Sequence, residues 1–195
     1  MKPSTKPPTA PLDARAPFVL DTRELGRRPG SMTRVHREVP APDDFRLELV
    51  GVPAGATVEL DLRMEAVVDG VLVSGTVTAP VAGECGRCLE PVSDEVDAEV
   101  QELFVYEPVE GDDDDVSLLQ GDLVDLEPAA RDAIVLALPL APLCSDDCPG
   151  LCPECGARLA EAGPQHHHEL ADPRWAALGS LLPQGDPADE TNQEI

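Results

Sequence analysis

Between residues 45 and 106 apolar and polar side chains alternate with a period of two, and this restricts the chain more than any other feature of it. Val58, Leu60, Leu62 and Met64 interleave with Glu59, Asp61 and Arg63, and Val71, Val73 and Val77 carry a second run. Val96, Ala98 and Val100 lead a third that reaches Tyr106. Successive strand side chains point to opposite faces, so alternation means one buried face and one wet face, the pattern of an antiparallel sheet. Asp69-Gly70, between Val68 and Val71, predicts a two-residue hairpin turn in which glycine accepts a positive φ. Leu47, Leu49 and Val52 predict a strand before these, and Phe18-Val19-Leu20 a shorter one. Residues 33–39 predict another, with Val35, Arg37 and Val39 on one side.

The pattern changes after residue 121. Asp122 or Asp125 is placed to cap a helix, Pro128 fits its first turn, and Ala130, Ile134, Ala137 and Leu138 recur at helical spacing before Pro139 stops it. A second short helix is expected from Asp172-Pro173, with Trp175, Leu178 and Leu182 on one stripe. The fold class expected is α+β: an antiparallel β-rich sheet or partly closed barrel, one or two packing helices and a C-terminal zinc-knuckle segment. Along the chain this predicts a disordered tail over 1–16, a β domain over 17–106 and an acidic loop over 107–121. Residues 122–183 then pack on the same domain, and an acidic tail follows over 184–195.

Charge narrows the choice of partner. The 195 residues carry 38 acidic and 14 basic side chains, a net charge of −24, and aromatic residues make up only 3%. Residues 1–40 hold eight of the basic groups, and residues 107–127 hold nine acids and no base. Such a surface repels polyanions, because coating nucleic acid requires Lys and Arg against phosphate, and it favours a basic partner. A direct RNA contact would have to use Arg23, Arg27, Arg28, Arg34 and Arg37. No run reaches the roughly 20 apolar residues of a membrane span, and residues 1–17 hold five prolines without a hydrophobic signal segment, so a cytoplasmic location is expected.

The six cysteines carry the chemistry. Cys85-Gly-Arg-Cys88 is one knuckle, and Cys144-x3-Cys148-x3-Cys152-Pro-Glu-Cys155-Gly156 holds a second. A Cys-x2-Cys turn brings both thiolates to one tetrahedral ion, its N–H groups face the sulfurs, and Gly156 lets the chain leave through a positive φ. In a reducing compartment such pairs point to metal before disulfide. Six thiolates cannot all bind one tetrahedral zinc. One partition makes two structural sites: Cys85, Cys88, Cys144 and Cys148, then Cys152 and Cys155 with two of His166, His167 and His168, for which His166 and His168 are taken. A single site built from four of the cysteines is the other. A zinc-dependent hydrolase using the histidines and a thiol-redox protein using Cys85 and Cys88 are the alternative functions, but no His-Glu-x-x-His, P-loop or Gly-x-Ser-x-Gly motif is present.

Several segments taken together resemble a known family. They are Glu84-Cys85-Gly86-Arg87-Cys88-Leu89-Glu90-Pro91, Asp125-Leu126-Glu127-Pro128 leading into Ala133-Ile134-Val135-Leu136-Ala137-Leu138-Pro139, Leu143-Cys144 through Cys155-Gly156, and Asp172-Pro173-Arg174. In this order they resemble the bacterial YceD family, named for large ribosomal RNA accumulation. The resemblance spans about residues 18–182. It implies a non-enzymatic cytoplasmic factor that supports 23S ribosomal RNA accumulation and large-subunit biogenesis. The partner it implies is a basic ribosomal protein or a pre-large-subunit particle, with no membrane and no small-molecule substrate. Many members carry a further Cys-x-Cys before Asp-Pro-Arg, where this chain has His166-His167-His168, so the resemblance also implies histidine substitution at a second metal site.

Overall fold

The computed structural model describes residues 11–107 and 116–168. The chain divides into two compact units, Met1–Pro149 and Gly150–Ile195. The first contains strands β1 (Val19–Asp21), β2 (Met32–Pro40), β3 (Val50–Gly51), β4 (Thr57–Ala66), β5 (Gly70–Glu84), β6 (Pro91–Val105), β7 (Ser117–Leu118) and β8 (Leu123–Asp125), then helix α1 (Glu127–Ala137). The second contains the four-residue helix α2 (Leu159–Ala162). The helix expected from Asp172, the acidic run at 112–115 and the tail from residue 184 lie outside the described residues.

The main sheet has the order β2-β4-β5-β6-β7, with β3 on β5 beyond the end of β4. All its pairings are antiparallel except the short parallel β6–β7 contact. A two-stranded sheet, β1 with β8, accompanies it. The alternation maps onto the pleat as expected. Val58, Leu60, Leu62 and Met64 of β4, Val71, Val73 and Val77 of β5, and Ala98 and Val100 of β6 are buried. Glu59, Asp61, Arg63, Asp97 and Glu99 face solvent.

The sheet is open, which corrects the partly closed barrel. Among the described residues β2 pairs with β4 alone, and β6 beyond its two-residue contact with β7 has no strand on its far side. The buried face is covered by other elements and does not curl onto itself. α1 packs on β6 and β5 through Ala130 and Ile134, and Phe18, Leu20, Leu25, Phe45 and Leu126 complete the core. All three phenylalanines are buried, and Phe18 and Phe45 meet at a ring distance of 5.5 Å.

Three local expectations shift. Val67 N–H donates to Gly70 O, so the β4–β5 turn is centred on Val68-Asp69, one residue early. Gly70 lies in β5, where an added Cβ would sit 2.0 Å from Phe104 O; close strand approach requires the glycine there. Leu47, Leu49 and Val52 do not share a strand. Leu47 N–H donates to Val50 O and Val52 N–H to Phe45 O, which folds residues 45–52 into a tight hairpin. At α1 the capping position belongs to buried Leu126, and Asp125, one residue earlier, accepts the Glu127 N–H at 3.1 Å.

Candidate metal centres

Each Cys-x2-Cys segment builds the same turn. Leu89 N–H donates to Cys85 O at 2.9 Å and Cys85 N–H to Glu90 O at 2.7 Å. In the second knuckle Gly156 N–H donates to Cys152 O and Cys152 N–H to Ala157 O, both at 2.8 Å. The residue after the second cysteine has a positive φ in both: 71° at Gly156, as expected, and 60° at Leu89, the single positive-φ non-glycine among the described residues. Sequence reasoning missed Leu89, because leucine gives no signal for a left-handed backbone.

In the first unit Cys85, Cys88, Cys144 and Cys148 converge, their sulfurs all within 4.8 Å of one another. Cys85 Sγ is 3.8 Å from Cys148 Sγ, and Cys88 Sγ is 3.5 Å from Cys144 Sγ. A disulfide needs sulfurs about 2.05 Å apart. Four sulfurs around an ion with bonds of about 2.3 Å stand about 3.8 Å apart. The spacing therefore fits a tetrahedral thiolate site, and all six cysteines are free thiols. Cys85, Cys88 and Cys148 are buried and Cys144 is exposed.

Three further hydrogen bonds hold this cluster. Gly86 N–H donates to Pro142 O at 2.8 Å, fastening the knuckle to the loop that leads into Cys144. The Arg87 guanidinium donates to the carbonyls of Cys148 and Asp146 at 3.1 and 3.3 Å. Burial disfavours the Cys85 thiolate, but N–H groups of Arg87, Cys144 and Cys88 outweigh it and hold the thiol near pKa 6. Burial, then the neighbouring sulfurs of Cys148, Cys144 and Cys85, push Cys88 upward. One thiolate is thus stabilised by the backbone, and further ones need a cation among them.

In the second unit Cys152, Cys155, His166 and His168 form another group with donor atoms within 4.8 Å. Cys155 Sγ lies 3.5 Å from His166 Nε2, and His166 Nε2 lies 3.0 Å from His168 Nε2. Around one tetrahedral ion, sulfur–nitrogen and nitrogen–nitrogen spacings of about 3.6 and 3.3 Å are expected. His167 turns away, its Nδ1 2.8 Å from Gln165 O. N–H groups of Cys155 and Glu154 hold the Cys152 thiol near pKa 6. This group is more open than the first, with Cys155 and His168 exposed.

The arginines considered for RNA are partly occupied. Arg23 pairs with Asp21, Arg27 stacks over the Tyr106 ring at 4.7 Å, and Arg37 donates to Val19 O at 2.9 Å. Arg28 and Arg34 are exposed. No helix among the described residues is long and apolar enough to cross a membrane.

Comparison with known proteins adds a family. A family model described as large ribosomal RNA subunit accumulation protein YceD matches residues 73–182, which takes in both knuckles. The uncharacterized protein Rv2926c of Mycobacterium tuberculosis is 46% identical over 184 residues, covering 92% of this chain and 88% of the relative. The uncharacterized protein ML1660 of Mycobacterium leprae is 42% identical over 187 residues, 92% and 86% of the two chains. The uncharacterized protein YlbN of Bacillus subtilis is 29% identical over 128 residues, 65% and 72% of the two. No solved structure matches.

Proposed function

Because the chain belongs to the YceD family, we propose that it is a non-enzymatic binding factor, stabilised by structural zinc, that supports 23S ribosomal RNA accumulation or large-subunit assembly in the cytoplasm. The observation that carries a binding role is the completeness of the two donor sets. Each supplies four protein donor atoms within 4.8 Å of one another, enough to fill a tetrahedral shell, whereas a hydrolytic zinc keeps a position open for water. The same completeness weighs against a hydrolase at His166 and His168. It also weighs against a redox pair at Cys85 and Cys88, whose sulfurs sit with those of Cys148 and Cys144. Zinc, when bound, cross-links the loop after β5 to the segment after α1 at one site, and the second knuckle to the histidine segment at the other.

The partner is a basic ribosomal protein or a pre-large-subunit particle, and the acidic balance of the chain supports contact through protein. Depletion of the protein lowers mature 23S RNA and leaves 16S RNA unchanged, measured on total RNA. Equal loss of both, or of neither, refutes the assembly role. Metal analysis of the purified protein yields two zinc ions per chain, and an empty or iron-loaded protein refutes the zinc assignment.

A further inference from the structure

Among the described residues, apolar surface lies open beside the cysteine cluster of the first unit. A groove of about 400 Å³ lies between the start of β6 and the loop that leaves α1. Val81, Val92, Val96, Pro139, Ala141 and Leu143 line it. On the same stretch Leu136 and Leu140 are 86% and 89% exposed. The two leucines are separate from the groove lining, and the groove itself combines apolar walls with a few polar groups, the make-up of a binding cleft.

The rim selects the occupant. Asp94, Glu95 and Asp146 lie at the groove, and none of its lining residues is Lys or Arg. Arg87 reaches the loop at Asp146 but gives its guanidinium to the carbonyls of Asp146 and Cys148. The adjoining edge of β6 is unpaired from Val92 to Leu103 among the described residues and carries Asp94, Glu95, Asp97, Glu99 and Glu102. An extended chain can lie along such an edge while side chains on one of its faces enter the groove.

We propose that this groove docks a Lys/Arg-rich segment of a partner protein, which inserts bulky apolar side chains against Val92, Val96 and Leu143 while its cations meet Asp94, Glu95 and Asp146. The inference rests on reading the chain as a binding factor and names the surface it uses. The groove wall is tied to the first metal centre, because Pro142 O accepts the Gly86 N–H and Leu143 precedes Cys144. Cysteine ligation therefore shapes the docking surface without touching the partner.

The test uses the full-length, metal-loaded chain and a short synthetic peptide that alternates Lys or Arg with Leu or Val. Fluorescence anisotropy measures affinity at low and physiological salt, and amide hydrogen exchange locates the contact. The expected result is salt-sensitive binding with new protection over residues 92–96 and 137–143. Asp94→Lys with Glu95→Lys, both at exposed positions, weakens binding roughly tenfold or more. Glu59→Lys with Asp61→Lys, the same charge change on the solvent face of β4, weakens it less than about twofold, the tail of screened long-range attraction. Equal losses in the two variants, protection elsewhere, no peptide binding, or tighter binding of single-stranded RNA than of peptide each overturns the proposal. In cells depleted of the native chain, the Asp94→Lys, Glu95→Lys variant fails to restore 23S RNA. Full restoration overturns the groove while leaving the assembly role standing, and an unchanged 23S level on depletion overturns that role instead.

Discussion

Leu89 holds a left-handed backbone that the equivalent turn gives to Gly156. A non-glycine residue pays about 1–2 kcal/mol for that conformation, and glycine loses roughly 0.5–1 kcal/mol of it again through a freer unfolded chain. Leu89 is 52% exposed, so its side chain contributes little burial in return. Leu89→Gly therefore stabilises the metal-loaded protein by about 0.5–1 kcal/mol, read as a higher urea midpoint with an unchanged slope; a lower midpoint would contradict it. The thiols themselves set a pH limit. Cys85 and Cys152 are lowered from 9.0 to about 6, so both are thiolates above that pH and bind a proton as pH falls through it. Metal ligands must be deprotonated, and Cys88 and Cys144 are raised, so apparent metal affinity falls as pH falls through the neutral range and falls more steeply below about pH 6, where Cys85 and Cys152 also take up protons; competition with a colorimetric indicator across a pH series measures it. A pH dependence no steeper below about pH 6 than above it would show that Cys85 and Cys152 are not held as thiolates by the backbone N–H groups.

At the scale of elements, Gly70 and Ile134 hold the most exposed consequences. Gly70→Ala forces a Cβ into Phe104 O and destabilises by about 1–3 kcal/mol, an overpacking that the strand backbones cannot relieve. Ile134→Ala opens a cavity under α1 and destabilises by about 2–5 kcal/mol, since Ile134 is fully buried against the sheet. Chemical denaturation of both variants checks these values, and a neutral Gly70→Ala would mean β5 and β6 separate easily there. The strands were legible because one face is buried and one wet, which writes a period of two into the residues themselves. The hairpin at 45–52 left a trace as well: Leu47 and Val52 differ in parity, as residues on the two arms of a hairpin with a two-residue turn do when they share a face. The position of the Val68-Asp69 turn was not legible, because Gly70 has two uses, turning and close approach, and only the neighbouring strand shows which operates. The openness of the sheet was equally hidden, since alternation specifies faces and says nothing of edges. The cysteine spacing identified ligand types and left the partition open; the fold alone decides which sulfurs meet.

For the molecule as a whole, two donor sets in two compact units imply separable metal loss. Cys155→Ser removes one ion and leaves the melting of the first unit near its original value, whereas Cys85→Ser removes the other and lowers that transition. Differential scanning calorimetry with metal analysis checks both, and loss of both ions from either variant would contradict independence. Brief chelation takes the ion at Cys155 and His168 first, because those ligands are exposed while three sulfurs of the other cluster are buried. The five carboxylates on β6 have a last consequence, for the chain's behaviour at high concentration. Two copies that met edge to edge through β6 would bring these carboxylates together with no cation on either strand to neutralise them. The free edge thus refuses its own kind under ordinary conditions. Concentrated salt, by screening that repulsion, would turn the same strand into a site of self-association, so storage stability falls as ionic strength rises.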